Sequence, residues 1–306
     1  MRPLLTALAL AASTALTATA AGAEMTQTDI REGFRTHAAL AQFHRWFQVY
    51  ERPEGGIENA VDILAEDVVV TSGLGTASGH GDYAARVQSL PAEWRNAHVP
   101  SDVTVTHSPD GSALTAKVTY LNQGLLPDGA VRSADLTYEV ALAEDAALLP
   151  KIAAVTITQD AEGTAEAFRD AYALNRTLSL VHYWLAIIED PARDPEPARE
   201  ILADGFTLDF SSGAITDFEG FAAWLAGPGS QVAASTHEIE GFAVMETGEN
   251  AYDVTMEFDW AGITPDGTEL VARTRHSWQV VNDPTERFAR IKRVGVEVLE
   301  PFRPKG

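Results

Sequence analysis

Two histidines and one carboxylate in the second half of the chain have the residue types that proton transfer requires. His237 leads one strand-like stretch, His276 lies inside another, and Glu189 ends a helix-like segment. An imidazole can take up and release a proton near neutral pH, and a carboxylate removed from water becomes a stronger base. We therefore predict His237, His276 and Glu189 as catalytic residues. The alternatives are that His237 hydrogen-bonds to the backbone, that His276 lies in the core with its hydrogen bonds made there, and that Glu189 is solvated beside Asp190.

The chain repeats itself at a spacing of 138 residues. Residues 43–51 align with residues 181–189, and a histidine, a tryptophan and a glutamate coincide. Residues 127–129 and 265–267 both read Pro-Asp-Gly at the same spacing. Units of a solenoid have only about 20–50 residues, so this period indicates duplication of a whole domain. We place the first domain at residues 24–160 and the second at residues 161–306.

Each copy has the pattern of helices followed by antiparallel strands. Leu40, Phe43, Phe47 and Tyr50 form one helical stripe, which the second copy keeps. Short helices are predicted near residues 57–65, 82–89, 196–203 and 218–226. Strands are predicted at residues 68–71 and 206–209 and, later in the second copy, near residues 237–247, 250–260, 270–281 and 290–299. The predicted class is α+β, with two tandem domains related by a pseudo-twofold axis.

Alternation along the strands predicts which side chains share an interior face. In the second copy this face and the first helix supply a pocket lined by Trp184, Met256, Phe258, Trp260, His276 and His237. In the first copy the corresponding lining is Trp46, Val118, Tyr120, Asn122, Tyr138 and His98. Rings dominate both sets, so each pocket is expected to suit a flat, apolar molecule.

The element order, the aromatic first helix, the strand that begins His237-Glu238-Ile239 and the Pro-Asp-Gly hairpin resemble the SnoaL-like branch of the NTF2-like fold. The resemblance covers nearly all of both copies. It implies a cone-shaped domain with a sheet curled around the first helix and an apolar pocket inside. Members of this family include polyketide cyclases, dehydratases, steroid isomerases and epoxide hydrolases, and many have no catalytic role, so the fold does not fix the function.

The first helix departs from the pattern of the related dehydratases. Those enzymes place a tyrosine and, five residues later, an aspartate on it, whereas this chain has Trp46 with Glu51 and Trp184 with Glu189. Tryptophan is neither an acid nor a base, so that mechanism does not carry over intact. His44 and His182 fall beside the apolar stripe, and we expect them on a helix surface or in an interface.

Composition excludes several classes of partner and cofactor. The net charge of −22 repels phosphate backbones and anionic membrane surfaces, which argues against nucleic-acid binding. The chain has no cysteine and no histidine or carboxylate cluster at metal-ligand spacing. We expect no cofactor and no metal, and a small apolar molecule as the partner.

The first 23 residues have the order of a secretory signal peptide. Arg2 precedes a short apolar run, and small residues follow up to Ala23. The apolar run is too short to span a bilayer of about 30 Å, so a membrane anchor is the weaker alternative. We expect cleavage after Ala23, a periplasmic or secreted protein, and no membrane insertion after cleavage.

The two copies are expected to form an intramolecular pseudo-dimer within a monomer. NTF2-like domains often pair through the outer face of the sheet, where equivalent positions lie near one another. Asp135 or Glu139 is therefore predicted to pair with Arg273 or Arg275 across the interface. The alternative is two domains on a helical tether with exposed arginines.

Two functions remain open from the sequence. The first is a cofactor-independent lyase or isomerase that acts on an apolar cyclic or carbonyl compound through a pocket histidine. The second is a non-catalytic periplasmic binding or accessory protein. The aromatic pocket favours small-molecule binding in either case.

Overall fold

The computed structural model describes residues 25–143 and 147–306. The predicted signal peptide lies outside the described residues. Within the described part of the chain, no helix is both long and apolar enough to cross a membrane. Two six-stranded mixed sheets form the framework, one in each half of the chain.

The first copy begins with the helix α1 (Gln27–Trp46), which continues after a break at Phe47 as the single turn α2 (Gln48–Glu51). Thr26 caps α1 in a capping box with Asp29, which satisfies free N–H groups at the helix start. The elements that follow are α3 (Ile57–Val61), β1 (Leu64–Ser72), β2 (Gly75–Ser78), α4 (Gly79–Gln88), β3 (Arg95–Ser108), β4 (Gly111–Gln123), β5 (Val131–Ala143) and β6 (Lys151–Ala165). The strand order in this sheet is β2-β1-β6-β5-β4-β3.

The second copy repeats this order. Its elements are α5 (Tyr172–Glu189), a 3₁₀ turn (Glu196–Glu200), β7 (Leu202–Phe210), β8 (Gly213–Ile215), α6 (Phe218–Ala226), β9 (Ala234–Gly248), β10 (Ala251–Ile263), β11 (Glu269–Val281) and β12 (Arg290–Pro304). The sheet order is β8-β7-β12-β11-β10-β9, the same topology as in the first copy. The first sheet continues to Ala165, beyond the predicted boundary at residue 160, and the second copy's first helix begins at Tyr172.

The pairing of the strands shows that equivalent residues of the two copies are not everywhere 138 positions apart. His98 pairs with Tyr120 across β3 and β4, and His237 pairs with Trp260 across β9 and β10. Tyr120 therefore corresponds to Trp260, whereas a spacing of 138 matches it with Phe258. The second copy has one more residue between α6 and His237 and one more between His237 and Trp260, and the longer connection between β4 and β5 in the first copy restores the spacing of 138.

The copies meet through their first helices, α1 and α5. Ala38 and Ala41 of α1 pack into the core of the second copy beside Leu180. The Ser179 hydroxyl donates a 2.9 Å hydrogen bond to the carbonyl of Ala41. Because the side chains at this contact are small, the two helix backbones approach closely.

The predicted ion pairs across the outer sheet faces are wrong. Arg273 contacts Glu257 at 2.8 Å, and Arg275 contacts the same carboxylate at 2.7 Å. Both arginines lie on β11 and are 40% and 47% exposed in their side chains. They pair along their own sheet because the interface uses the helix layer and leaves this face to solvent.

Candidate functional site

Each copy holds a buried glutamate against a strand histidine. Glu51, the last residue of α2, accepts a 2.8 Å hydrogen bond from the backbone N–H of His98 on β3, and its Oε1 lies 3.3 Å from His98 Nδ1. Glu189, the last residue of α5, has its Oε1 2.7 Å from His237 Nδ1. Both carboxylate side chains are 0% exposed. The interpretation of Glu189 as a solvated helix end is wrong, because β9 covers that end of the helix.

Burial changes the proton affinities of these groups. Loss of water raises the pKa of Glu51, against the opposing effect of its hydrogen bonds from His98 and Asn175. Burial also raises the pKa of Glu189 well above its usual range and lowers the pKa of His237 well below its usual range. The neutral forms of Glu189 and His237 are therefore favoured over an ion pair.

Each glutamate is also contacted by a side chain from the other copy. Asn175 on α5 donates from Nδ2 to Glu51 Oε1 at 3.1 Å and to the carbonyl of His98 at 2.8 Å. On the opposite side, His37 on α1 places Nε2 3.5 Å from Glu189 Oε1. The polar environment of one copy's glutamate is thus completed by the first helix of the other copy.

A chain of buried polar side chains joins the two glutamates through the interface. His44 Nδ1 lies 2.9 Å from Asn175 Oδ1, and His37 Nδ1 lies 2.9 Å from His182 Nδ1. The rings of His44 and His182 stack with centroids 5.7 Å apart. Both predicted interface histidines thus lie between the copies, where burial lowers the pKa of His44 to about 4 and that of His182 well below its usual range.

The first copy contains a partly open cavity of about 520 Å³. Ligand pockets in proteins commonly have volumes of roughly 300–1,000 Å³, so it can hold a small organic molecule. Its lining comprises Trp46, Tyr50, Val70, Ser72, Gly73, Leu74, Arg86, Leu90, Trp94, Asn96, His98, Tyr120, Leu125, Arg132, Leu136, Tyr138, Ile157, Gln159 and Glu162.

Four of the residues predicted for this pocket line it: Trp46, His98, Tyr120 and Tyr138. Asn122 is fully buried instead, and its amide donates to Asn96 Oδ1 at 2.9 Å. Asn96 Oδ1 also accepts from the Tyr120 hydroxyl at 2.7 Å. Asn122 therefore supports the lining from behind and does not face the cavity. Val118 is buried in the core of this copy.

Aromatic side chains pack on one another in the second copy. Phe210 and Trp224, which correspond to Ser72 and Arg86, have ring centroids 4.8 Å apart. Trp184 contacts the rings of Phe221 and Trp278. Larger apolar groups thus occupy positions where the first copy has cavity-lining polar side chains.

The predicted residues of the second copy are only partly brought together. His237 contacts Glu189, whereas the Phe258 ring contacts both His237 and His276, with centroid distances of 5.2 and 4.6 Å. Burial lowers the pKa of His276 to about 3, and Trp278 Nε1 donates to its Nδ1 at 3.4 Å. Met256 and Phe258 lie in the core, and Trp260 packs against the exposed Phe302.

Sequence reasoning missed several polar lining residues. Tyr50, Arg86, Asn96 and Arg132 all border the cavity. For Arg86 and Tyr50 a signal was available in the repeat, because they correspond to Trp224 and Ile188, so polarity is lost where aromatic side chains of the second copy pack together. Among the described residues, no group of three potential ligands is placed to hold a metal ion.

The comparisons with known proteins find similarity to solved structures and not to sequence families. No family model matches the sequence, and the search of curated proteins gives no match. The dehydrochlorinase LinA-type3 from Novosphingobium barchaimii is 13% identical over 44% of this chain and 92% of its own, with a TM-score of 0.37. An NTF2-like superfamily protein from Salmonella enterica is 16% identical over 39% of this chain and 85% of its own, with a TM-score of 0.35. ActVI-ORFA from Streptomyces coelicolor is 12% identical over 40% of this chain and 93% of its own, with a TM-score of 0.34.

The two halves share one order of helices and strands, with helices packed on a six-stranded sheet in each. This is the architecture that the SnoaL-like resemblance predicted. The described residues thus form two tandem α+β domains of the same topology.

Proposed function

We propose that the first copy binds a small, flat, largely apolar molecule in its cavity and that His98 transfers a proton to or from it. The observation that carries the proposal is the position of His98, which lines the cavity and is backed by the buried Glu51. The catalytic roles of His237, His276 and Glu189 in the second copy remain a prediction from the sequence. The cavity leads us to propose the first copy as the site.

The geometry fits a cofactor-independent elimination or isomerisation. Glu51 lies against Nδ1 of His98, which leaves Nε2 as the nitrogen available to a ligand. In such a step His98 takes a proton from a carbon next to a carbonyl group. The electron pair of the broken C–H bond forms a C=C bond, and either a leaving group departs or the proton returns to another carbon.

The lining provides the complementary apolar surface. The rings of Trp46, Tyr120 and Tyr138 border the cavity. A flat molecule gains burial against these rings, and the few polar groups fix its orientation. We also propose that residues 1–23 direct export to the periplasm or the medium.

A non-catalytic binding protein is the second candidate. The glutamate–histidine pair also occurs in the second copy, where it contacts the packed aromatic core. A pair kept in both copies can serve the fold by holding the strand against the first helix. Binding without turnover would identify this function.

The test combines binding with hydrogen exchange. Apolar ring ketones such as 2-acetylnaphthalene are titrated by calorimetry into the wild type, His98→Gln and Ser72→Phe, the last of which adds a ring to the cavity wall. Exchange of the protons next to the carbonyl group is followed by NMR in deuterium oxide. We expect binding to the wild type and to His98→Gln but not to Ser72→Phe, and a loss of exchange by a factor of about 100 or more in His98→Gln.

Four results would count against parts of the proposal. Absence of binding to the wild type, or equal binding to Ser72→Phe, contradicts the cavity as the ligand site. Binding with equal exchange in the wild type and His98→Gln contradicts the proton-transfer role. Binding without exchange in either protein favours the second candidate.

A further inference from the structure

One wall of the cavity carries a guanidinium group and a phenol, and a second, buried phenol lies behind the first. Arg86 and Tyr83 lie on α4 at i and i−3, which places them on one face of the helix. The hydroxyl of Tyr83 lies 3.0 Å from that of Tyr50, which lines the cavity with Arg86. Burial raises the pKa of both phenols, and the charge of Arg86 opposes this rise.

The described residues leave most of the hydrogen-bonding capacity of the Arg86 guanidinium unused. Arg86 donates from Nη1 to the carbonyl of Val70 at 3.3 Å, and it forms no ion pair with a carboxylate of the described residues. A guanidinium has five N–H donors in a planar fork, so several remain to bind a ligand. The two phenols share one hydrogen bond and have two protons, which leaves one O–H group able to donate.

The second copy provides an internal comparison. Phe221, Ile188 and Trp224 stand where the first copy has Tyr83, Tyr50 and Arg86. All three polar groups are thus absent together in the copy whose aromatic side chains pack on one another. The glutamate–histidine pair is kept in both copies. The group of Arg86, Tyr50 and Tyr83 is therefore found in the copy with the described cavity and replaced by apolar residues in the other copy, whereas the pair is found in both.

We propose that Arg86, with the Tyr50–Tyr83 pair, binds a carboxylate on the ligand, so that the ligand class is a flat, apolar carboxylic acid. This inference rests on the proposed binding function of the cavity and adds the charge of the ligand to it. A guanidinium binds a carboxylate through two parallel N–H···O bonds, and a neutral phenol adds a third donor. Burial raises the pKa of both Tyr50 and Tyr83, so both phenols stay protonated and able to donate at neutral pH.

The other arginine of the lining is already paired. Arg132 donates from Nε to Glu162 at 2.6 Å and from Nη2 to Gln159 at 2.7 Å. Its charge is therefore balanced by a carboxylate that also borders the cavity. In a chain of net charge −22, the guanidinium of Arg86 supplies a local positive site for an anion. Arg132 is the matched control for this site.

The experiment compares two ligands that differ in charge and little in shape. 2-Naphthoate and 2-naphthamide are titrated by calorimetry at about pH 7.5 into the wild type, Arg86→Met and Arg132→Met. We expect the wild type to bind naphthoate at least about tenfold more tightly than naphthamide. Arg86→Met should lose this preference and keep its affinity for naphthamide, and Arg132→Met should retain the preference. Circular dichroism of each variant checks that it is folded.

The outcomes separate this inference from the proposed function. Equal binding of both ligands to the wild type, or a preference that survives in Arg86→Met, overturns the carboxylate site and leaves the cavity as a binding site. A preference lost in Arg132→Met and kept in Arg86→Met also overturns it. Failure of both ligands to bind the wild type contradicts both proposals.

Discussion

His44 is expected to make the protein sensitive to acid, and the effect can be calculated from its surroundings. It is buried on α1, with Nδ1 2.9 Å from Asn175 Oδ1 and its ring stacked on His182. The groups that face it from α5 are this amide and this second imidazole, and Phe43 contacts it from its own helix. Burial lowers the pKa of His44 from 6.5 to about 4, against the smaller opposite effect of the hydrogen bond with Asn175.

The sign of the effect follows from where the proton binds. Between pH 6.5 and 4 the unfolded chain protonates this histidine and the folded protein does not, so the free energy of unfolding falls as the pH falls. The shift corresponds to a loss of about 3 kcal/mol below about pH 4 and about 2 kcal/mol at about pH 5. His37, whose pKa is also lowered to about 4 by burial, should contribute a similar loss.

The perturbation is His44→Asn, which removes the titrating group and keeps a donor near Asn175. Urea unfolding at about pH 7.5 and about pH 5 gives the loss of stability on acidification for the wild type, His44→Asn and the control His80→Asn, which lies outside the interface. We expect the variant to lose about 2 kcal/mol less than the wild type over this range, and the control to behave as the wild type does. An equal acid-induced loss in the wild type and His44→Asn would refute the reasoning.

Two further predictions concern the interface between the copies and the aromatic core of the second copy. Asn175→Leu removes the donor that Glu51 receives from the second copy, so we expect a loss of about 1–3 kcal/mol that grows with pH as the carboxylate ionises. Urea unfolding at about pH 5 and about pH 8 measures it, with Ser179→Ala as the interface control; a loss independent of pH contradicts the prediction. Trp278→Ala opens the packed core of the second copy and should destabilise the protein by about 3–5 kcal/mol while ligand binding in the first copy is unchanged. Thermal unfolding and calorimetry measure the two effects, and a loss below about 1 kcal/mol would show that the core around Trp278 is not tightly packed.

The repeat and the spacing of apolar residues predicted the helices and strands, because this spacing reflects which side of each helix or strand is buried. The stripe from Leu40 to Phe43 falls on α1 and continues across the break at Phe47 to Tyr50 on α2, and the alternation in residues 270–281 falls on β11. Such patterns depend on neighbours within one element, which the sequence shows directly. The short helix predicted over residues 57–65 ends at Val61 instead, since Leu64 already pairs with Ile152 of the sheet.

The site depended on contacts between distant elements. Glu51 and Glu189 end their helices, where a carboxylate is usually solvated, and the strands β3 and β9 together with the first helix of the other copy bury them. Asn175 reaches Glu51 across the interface because α5 packs on α1, a contact formed by small and polar side chains that no hydrophobic stripe indicates.

The sequence alone determined the duplication, the α+β class and the aromatic character of each interior. Residue identity and the spacing of apolar residues along the chain are sufficient for these conclusions. Tertiary structure decided that the first copy has a cavity where aromatic side chains pack together in the second. That outcome depends on whether side chains from β1 and α4, or from β7 and α6, meet in space. Ser72 and Arg86 leave room between these elements, whereas Phe210 and Trp224 pack ring against ring.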